Sequence, residues 1–200
     1  MAIDLSKLEK TPEGSLPPII TIYGVDGIGK TPFGLGAEKP IYLPTEKRFS
    51  AYGVMNAFQT PTDKNKTCES FSEMCNVLIS LDQQEHDYKT VVIDSLDHLE
   101  PLLWKAVLEN YPTISRGEPI HKDDPADPNS RKVESIADYG FGKGYSLAMD
   151  AWRYFYQLLN ALRDKGMTIV LIAHYQQKQE NPADDEAYDQ FQLKLQMHFR

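Results

Sequence analysis

Apolar and polar positions divide this chain into alternating strands and helices. Four stretches concentrate β-branched and aromatic residues, and they cover residues 18–23, 39–46, 88–95 and 167–174. Short apolar runs of this composition predict buried strands. Amphipathic segments lie between these runs, so strands alternate with helices along the chain. That alternation predicts an α/β fold with three layers built around a mainly parallel sheet.

Three of the intervening segments have the spacing of amphipathic helices. Ser70 and Glu73 fit a capping box that opens a helix through about Gln84. A second helix follows the strand that ends near residue 94, and a third covers residues 146–165. The apolar stripe of the third helix consists of Ala148, Trp152, Phe155, Leu159 and Leu162. We interpret these stripes as core packing rather than as ligand contacts.

The remaining segments are polar. Residues 1–17 predict a flexible leader in front of one domain that spans residues 18–200. Residues 110–145 form a long polar stretch, which we interpret as a functional or disordered loop. A second loop is predicted over residues 175–188, while residues 191–197 alternate like a strand but also fit the start of a helix.

Length, charge and cysteine content limit the class of protein. A chain of 200 residues with 41% hydrophobic residues suits one domain with a sizeable core. The net charge of −8 argues against a generally basic nucleic-acid-binding surface, although a local basic groove stays compatible with it. Cys68 and Cys75 lack zinc-type spacing and predict free thiols. With no signal peptide or long apolar run, we expect a cytoplasmic protein without a membrane segment.

A glycine-rich motif directly follows the first predicted strand. The motif fits G-x-x-x-x-G-K-[ST] and consists of Gly24, Val25, Asp26, Gly27, Ile28, Gly29, Lys30 and Thr31, followed by Pro32 and a short helix. Glycines allow backbone N–H groups to surround phosphate oxygens, where a Cβ would crowd the ligand. Lys30 adds a cation for the phosphates, and the Thr31 hydroxyl is a Mg²⁺ ligand in such loops. We therefore predict a P-loop at Gly24–Pro32; the alternative is a glycine-rich turn with an incidental lysine.

Polar side chains stand at the ends of the other three strands. Asp94 follows four apolar or β-branched residues and is a candidate Mg²⁺ ligand, with Asp97 as a weaker second acid. Glu46 could orient and deprotonate an attacking water, and His174 could sense the γ-phosphate. Each has an ordinary alternative: a helix cap for Asp94, a surface carboxylate for Glu46 and a structural histidine for His174.

Aromatic residues and glycines alternate over Tyr139–Tyr145, with Lys143 as the cation among them. Such a segment could stack nucleic-acid bases and contact phosphate, or reach the nucleotide of a neighbouring subunit. Because no obvious arginine finger lies near the P-loop motifs, Lys143 is also the candidate for a cation supplied to another protomer's nucleotide. The alternative is a flexible hinge before a helix.

In this order, the P-loop, Glu46, Asp94-Ser95 and His174 resemble the motifs of the RecA-like P-loop ATPase core. The chain is most similar to compact AAA-type nucleotide-binding proteins of phages and prophages, some of which act in single-strand annealing and recombination. The resemblance implies ATP and Mg²⁺ as cofactors and a RecA-like sheet. It also implies that residues 111–145 and 175–190 face single-stranded DNA, with a second copy of the chain or a single-strand-binding protein as a further partner.

Three features depart from that family pattern. Pro32 follows Thr31, Pro44 interrupts the second strand, and no convincing fifth core strand is apparent, so the chain could be a fragment or a core that a partner completes. The sequence therefore predicts a Mg²⁺-dependent ATPase of phage DNA recombination or annealing in the cytoplasm of a bacterial host. The alternatives are a nucleotide-dependent module that recruits replication or packaging partners without binding DNA, and a phosphotransferase on the same core.

Overall fold

The computed structural model describes residues 16–47, 53–180 and 188–195. Its strands are β1 (Ile19–Gly24), β2 (Pro40–Pro44), β3 (Met55–Asn56), β4 (Thr90–Asp94), β5 (Thr113–Ser115), β6 (Glu118–Ile120), β7 (Arg131–Lys132), β8 (Thr168–Glu180) and β9 (Tyr188–Leu193). The helices are α1 (Lys30–Leu35), α2 (Phe71–Gln83), α3 (Leu96–Asn110) and α4 (Lys143–Asp164), and a 3₁₀ turn covers Ile136–Tyr139.

The main sheet has the order β1-β8-β4-β2-β3, and neighbouring strands in this path are parallel. Gly24 lies opposite His174 across the β1–β8 pair, and Pro44 lies opposite Asp94 across the β2–β4 pair. Since the carboxyl ends of parallel strands share one edge, this register gathers the predicted polar residues at one edge of the sheet.

Alternate residues of the central strands pack against different layers. On one face, Val92, Val170 and Ile172 lie close to α1, where a Cβ added to Gly34 would be 2.8 Å from Cγ1 of Val92. On the other face, residues of β2, β4 and β8 pack with α2, α3 and α4; they are Ile41, Leu43, Val91, Ile93, Ile169 and Leu171. The predicted three-layer α/β fold with a mainly parallel sheet is confirmed.

The helices agree with their predicted patterns. The Ser70 side chain caps α2 by accepting a hydrogen bond from the Glu73 N–H at 3.1 Å. Glu73 in turn accepts from the N–H of Glu69, one residue earlier than in the predicted reciprocal capping box. Helix α4 begins at Lys143 instead of residue 146, and the whole predicted apolar stripe of α4 is buried.

The prediction of an irregular loop over residues 110–145 was wrong. β5, β6 and β7 form a small antiparallel sheet in this stretch, and the 3₁₀ turn follows it. Arg116 and Gly117, with φ angles of 49° and 81°, make the two-residue turn between β5 and β6. That turn type suits tight hairpins. The strands are only two or three residues long, too short for their alternation to stand out in the sequence.

The loop predicted over residues 175–188 was also wrong in its first half. β8 continues through Glu180 and pairs with β9 in an antiparallel ribbon, so the strand interpretation of residues 191–197 holds as far as Leu193. Polar residues such as Gln176 and Gln192 pair across this ribbon, which explains why it lacks an apolar signal. The rest of that loop, residues 181–187, lies outside the described residues, as do residues 1–15 of the predicted leader.

Two further expectations concern the edges of the sheet. Pro44 does not interrupt β2 but ends it, and its carbonyl oxygen accepts a hydrogen bond from the Cys68 N–H at 2.8 Å. The sequence indicated no convincing fifth core strand, but the two-residue strand β3 pairs in parallel with β2 and is the fifth strand of the path β1-β8-β4-β2-β3. No described helix has the length and apolar character needed to cross a bilayer.

Candidate nucleotide-binding site

The loop between β1 and α1 has the backbone that its glycines predict. Gly27 and Gly29 adopt φ angles of 77° and 100°, a region that residues with a Cβ rarely enter. Gly29 is the N-cap of α1, and its carbonyl oxygen accepts from the Phe33 N–H at 3.0 Å. The polypeptide therefore turns sharply from strand to helix, with the first backbone N–H groups of α1 available at the turn.

The Lys30 ammonium group lies inside this loop. The Lys30 side chain is nearly buried, and Nζ donates to the carbonyl oxygens of Gly24 at 2.9 Å and of Val25 at 3.0 Å. A buried ammonium needs such acceptors because it loses its hydration shell. Phosphate oxygens are stronger acceptors for the same cation, since charge-assisted hydrogen bonds exceed neutral ones in strength. The lysine is thus held where a phosphate group would meet it.

Thr31 and Asp94 bring hard oxygen ligands together beside the loop. The Thr31 hydroxyl donates to Oδ2 of Asp94 at 2.5 Å, and the Tyr42 hydroxyl donates to the same oxygen at 3.2 Å. Mg²⁺ prefers carboxylate and hydroxyl oxygens and usually keeps several waters. The donor set of Thr31 and Asp94 therefore fits Mg²⁺. Tyr42 was not anticipated from the sequence, because only the register of β2 beside β4 brings it there.

Hydrogen bonds tie the ends of β2 and β4 together next to this pair. The Thr45 N–H donates to the carbonyl oxygen of Asp94 at 2.7 Å, and the Ser95 N–H donates to the Thr45 hydroxyl at 2.6 Å. The same hydroxyl donates to the carbonyl oxygen of Ser95 at 2.7 Å. Because Glu46 directly follows Thr45, these bonds fix the backbone that carries the Glu46 carboxylate.

His174 is the last residue of β8 that pairs with β1, and it lies opposite Gly24, where the P-loop begins. Its ring Nδ1 is 2.9 Å from Oδ2 of Asp97, and its backbone N–H donates to Oδ1 of Asp97 at 2.9 Å. Nε2 is 3.1 Å from Oδ1 of Asp26 in the P-loop and 3.8 Å from Oε1 of Glu46. His174 therefore contacts the P-loop, the end of β2 and the first turn of α3.

The Asp97 carboxylate is the hydrogen-bond partner of His174, whereas the sequence suggested it only as a weaker second acid. Burial alone would raise the pKa of this carboxyl, but the backbone and side-chain hydrogen bonds from His174, and the charge of His174, bring the pKa below its ordinary value. A buried carboxylate that stays ionised can hold an imidazole in one orientation. The contacts of the Asp97 carboxylate are thus with His174, and they orient its ring.

His98 is the member of this cluster that the sequence did not single out. Its Nδ1 is 2.8 Å from the Ser95 hydroxyl, and its Nε2 is 3.7 Å from Oε2 of Glu46. The rings of His98 and His174 meet edge to face, with centroids 5.7 Å apart. Its position in the sequence could have identified it, because a residue in the first turn of the helix after Asp94 must lie near the carboxyl edge of the sheet.

Lys143 does not join this cluster in the described structure. Its Nζ donates to the carbonyl oxygen of Gly117 and pairs with Glu118 at 2.5 Å, both in the β5–β6 hairpin. The neighbouring Phe141 is fully exposed and has a φ angle of 48°, between Gly140 and Gly142. The aromatic segment thus makes a tight turn between the 3₁₀ turn and α4.

Two groups of residues result at the carboxyl edge of the sheet. Lys30, Thr31 and Asp94 form one group around the loop, and Glu46 and His174 meet in the other. The P-loop residue Asp26 contacts His174 and so joins the two groups. This arrangement brings a glycine-rich loop with its lysine, a hydroxyl–carboxylate pair and a further carboxylate to one edge of the sheet, as expected for a nucleotide site.

Comparison with known proteins gives the same assignment. The family model described as "AAA domain" matches residues 16–199. The chain is also similar to the SPbeta prophage-derived uncharacterized protein YorG of Bacillus subtilis (strain 168), with 27% identity over 183 residues; the match covers 87% of this chain but 46% of YorG. The chain thus spans about half the length of that relative, and the predicted likeness to AAA-type proteins of phages and prophages is confirmed. The chain belongs to the AAA domain family, and its fold is that of a P-loop nucleotide-binding protein.

Proposed function

We propose that this chain binds ATP together with Mg²⁺ and hydrolyses it. The observation that carries the proposal is the position of Lys30, whose ammonium group is held inside the loop by the Gly24 and Val25 carbonyl oxygens. Beside it, Thr31 and Asp94 supply the oxygen ligands of a magnesium site. A glycine-rich turn with an incidental lysine would not require this buried cation or its carboxylate neighbour.

Binding is assigned to residues at the end of β1 and the start of α1. Backbone N–H groups of Gly27–Thr31 and the Lys30 ammonium neutralise the phosphate oxygens. Thr31 and Asp94 would hold the metal ion, and a bound Mg²⁺ would offset the negative charge of the phosphate oxygens. Lys30 exchanges two neutral carbonyl partners for charged ones, so nucleotide binding needs no new buried cation.

Hydrolysis is assigned to the second group of residues. Glu46 orients a water molecule and accepts its proton, as a carboxylate at this edge of the sheet is able to do. His174 reports whether a γ-phosphate is present, because it contacts the P-loop through Asp26 and the candidate base Glu46. Asp97 fixes the orientation of the His174 ring. A change at the loop can thus reach β8 and its ribbon with β9 through one side chain.

The cellular role that we propose is phage DNA recombination or single-strand annealing in a bacterial cytoplasm, in line with the prophage origin of YorG. The exposed aromatic turn at Phe141 and the β8–β9 ribbon are the surfaces assigned to single-stranded DNA. A second candidate function is a nucleotide-dependent module that recruits replication or packaging proteins without touching DNA. The net charge of −8 favours this second candidate.

The P-loop assignment is tested by replacing Lys30 with alanine. We expect Lys30→Ala to weaken ATP binding by about 10- to 100-fold, since a hydrogen bond to a charged group contributes about 1.5–3 kcal/mol. Isothermal titration calorimetry with Mg²⁺-ATP measures this loss. Lys105→Ala is the matched control, because Lys105 is an exposed lysine of α3 whose ion pair with Glu109 spans 3.9 Å.

One result of this experiment would contradict the P-loop assignment. Equal ATP affinities for the Lys30→Ala and Lys105→Ala proteins would remove the phosphate-binding role of the loop. Circular dichroism of both variants establishes that each retains the α/β fold, so that a loss of binding is not a loss of structure.

A further inference from the structure

The side chains of Glu46, His98 and His174 converge on one point at the carboxyl edge of the sheet. One ligand atom from each, a carboxylate oxygen and two ring nitrogens, lies within 4.8 Å of the other two. From this convergence we infer a second metal site, for a divalent transition ion of the zinc class. It is distinct from the magnesium ligands Thr31 and Asp94.

Both imidazole rings present the same nitrogen to this point. Nδ1 of His174 faces the Asp97 carboxylate, 2.9 Å from Oδ2, and this contact fixes the orientation of the ring. Nδ1 of His98 is likewise engaged by the Ser95 hydroxyl at 2.8 Å. The Nε2 atoms of both rings are therefore the ones directed at Glu46.

This pattern is the one that metal-binding histidines show. A ligating histidine usually binds through one ring nitrogen while a carboxylate, carbonyl or hydroxyl fixes the other, which sets the tautomer and orientation. Asp97 and Ser95 supply these outer contacts here.

The distances require only a small contraction. Nε2 of His174 is 3.8 Å from one Glu46 oxygen, and Nε2 of His98 is 3.7 Å from the other. A tetrahedral zinc ion with bonds of about 2.0–2.1 Å holds its ligand atoms about 3.3 Å apart. Contractions of about half an ångström bring each of these two pairs to that spacing, and the ligand atoms of the two histidines lie within 4.8 Å of each other. Oδ1 of Asp26, 3.1 Å from Nε2 of His174, is placed as a fourth ligand atom.

The ligand types select the metal. Two imidazoles and one carboxylate suit Zn²⁺, Co²⁺ or Mn²⁺, whereas Mg²⁺ takes oxygen ligands. The carboxylates of Asp26, Glu46 and Asp97 surround the two rings and favour a dication by charge. Two adjacent sites of different preference result: oxygen ligands at Thr31 and Asp94, and mixed nitrogen and oxygen ligands at the Glu46–His98–His174 cluster.

Metal binding is measured on the nucleotide-free chain, so that it does not depend on ATP binding. Titration with Co²⁺ is expected to give visible absorption bands typical of nitrogen and oxygen ligation, saturating at one ion per chain, and Zn²⁺ is expected to displace them. His98→Ala and Glu46→Gln should each weaken Zn²⁺ binding by at least tenfold. His121→Ala is the control, because His121 also lies beside an aspartate, with its Nδ1 3.4 Å from Asp123.

Two results overturn the inference: no saturable Co²⁺ bands in the folded chain, or equal Zn²⁺ affinity in His98→Ala and the parent chain. The Lys30→Ala protein separates this inference from the proposed function, since it should lose ATP binding and keep metal binding.

One consequence, unlike the binding itself, rests on the proposed function. A metal ion bound to Glu46 withholds that carboxylate from the attacking water, so Zn²⁺ should suppress ATP turnover at the concentration that fills the site. In His98→Ala the inhibition should need at least tenfold more Zn²⁺, while His121→Ala should follow the parent curve. Equal inhibition of the parent and of His98→Ala at the same Zn²⁺ concentration would contradict this consequence.

Discussion

Glu46 is the residue to which we assign hydrolysis, as opposed to binding. Its carboxylate lies 3.8 Å from Nε2 of His174 and follows the hydrogen-bonded end of β2. Glu46→Gln removes the proton acceptor but keeps the size of the side chain, so we expect turnover to fall by about 10²–10⁴-fold with ATP affinity within a few fold of the parent. A coupled ATPase assay and calorimetry measure the two quantities.

The control for this substitution is Glu38→Gln, which changes an exposed carboxylate outside the cluster. Unchanged turnover in Glu46→Gln would exclude Glu46 as the base. A fall in ATP affinity equal to the fall in turnover would instead assign it to binding.

The two cysteines allow a residue-level prediction that depends on pH. Burial raises the pKa of the Cys68 thiol to about 12 and that of the Cys75 thiol to about 11. The thiolate is the reactive form, so both residues should stay unalkylated by iodoacetamide at pH 8 in the folded chain and react fully in guanidinium. Mass spectrometry counts the adducts, and rapid modification of either native thiol at pH 8 would contradict its burial.

Sequence reasoning at this scale identified the residues that stand at strand ends. Glu46, Asp94 and His174 could be placed together because parallel strands end at one edge, and the register of β1, β8, β4 and β2 brings them there. The partnership of Asp97 with His174 could not be predicted in this way. It depends on how the first turn of α3 lies against β8, which is a matter of packing rather than of periodicity.

At the scale of elements, the start of α4 against the 3₁₀ turn is the tightest contact among the glycine sites. A Cβ on Gly144 would collide with the carbonyl oxygen of Ile136 and lie 2.6 Å from Cδ2 of Tyr139. We expect Gly144→Ala to lower the free energy of unfolding by about 1–3 kcal/mol, the usual cost of overpacking, despite the better helix propensity of alanine. Urea unfolding followed by circular dichroism measures the change.

Gly36→Ala is the control for Gly144→Ala, because Gly36 is the C-cap residue of a different helix, α1. Gly36 has a φ angle of −78°, and its added Cβ would be 3.3 Å from the nearest atom, the carbonyl oxygen of Pro32. It should cost less than about 1 kcal/mol. Coincident unfolding curves for the two variants would show that the 3₁₀ turn yields to accommodate the methyl group.

The strands and helices that could be predicted from the sequence are those with a clear pattern of apolar residues. The buried strands β1, β2, β4 and the first half of β8 were each predicted within a few residues, and so were helices α2 and α4. The hairpin of β5 and β6 was not predicted, and of the β8–β9 ribbon only the part of β9 from residue 191 was anticipated, as one of two interpretations. These strands are short or polar and owe their pairing to backbone hydrogen bonds and turn geometry; the local signal for the hairpin turn was Gly117.

At the scale of the whole molecule, the net charge of −8 decides what kind of contact with DNA is physically reasonable. A generally acidic surface repels the phosphate backbone, so binding must rest on local stacking together with a local basic contact, whose attraction weakens as salt rises. Phe141 is the fully exposed aromatic of the turn between Gly140 and Gly142 and is the candidate stacking residue.

We expect fluorescence anisotropy to detect binding of a labelled single strand in the presence of Mg²⁺-ATP, with an affinity that falls as salt rises. Phe141→Ala should weaken this binding by about 5- to 150-fold, because a stacked base contributes about 1–3 kcal/mol. Tyr154→Ala, at an exposed aromatic of α4, is the control and should bind as the parent does. Equal affinities for the Phe141→Ala and Tyr154→Ala proteins would place the DNA contact outside the aromatic turn.

The parent chain itself decides between the two candidate functions. If it does not bind DNA at about 50 mM salt, with ATP present and hydrolysis intact, the module that recruits proteins is favoured. Electrostatic attraction to DNA is strongest at low ionic strength, so an acidic ATPase that shows no affinity there has no electrostatic contact with DNA.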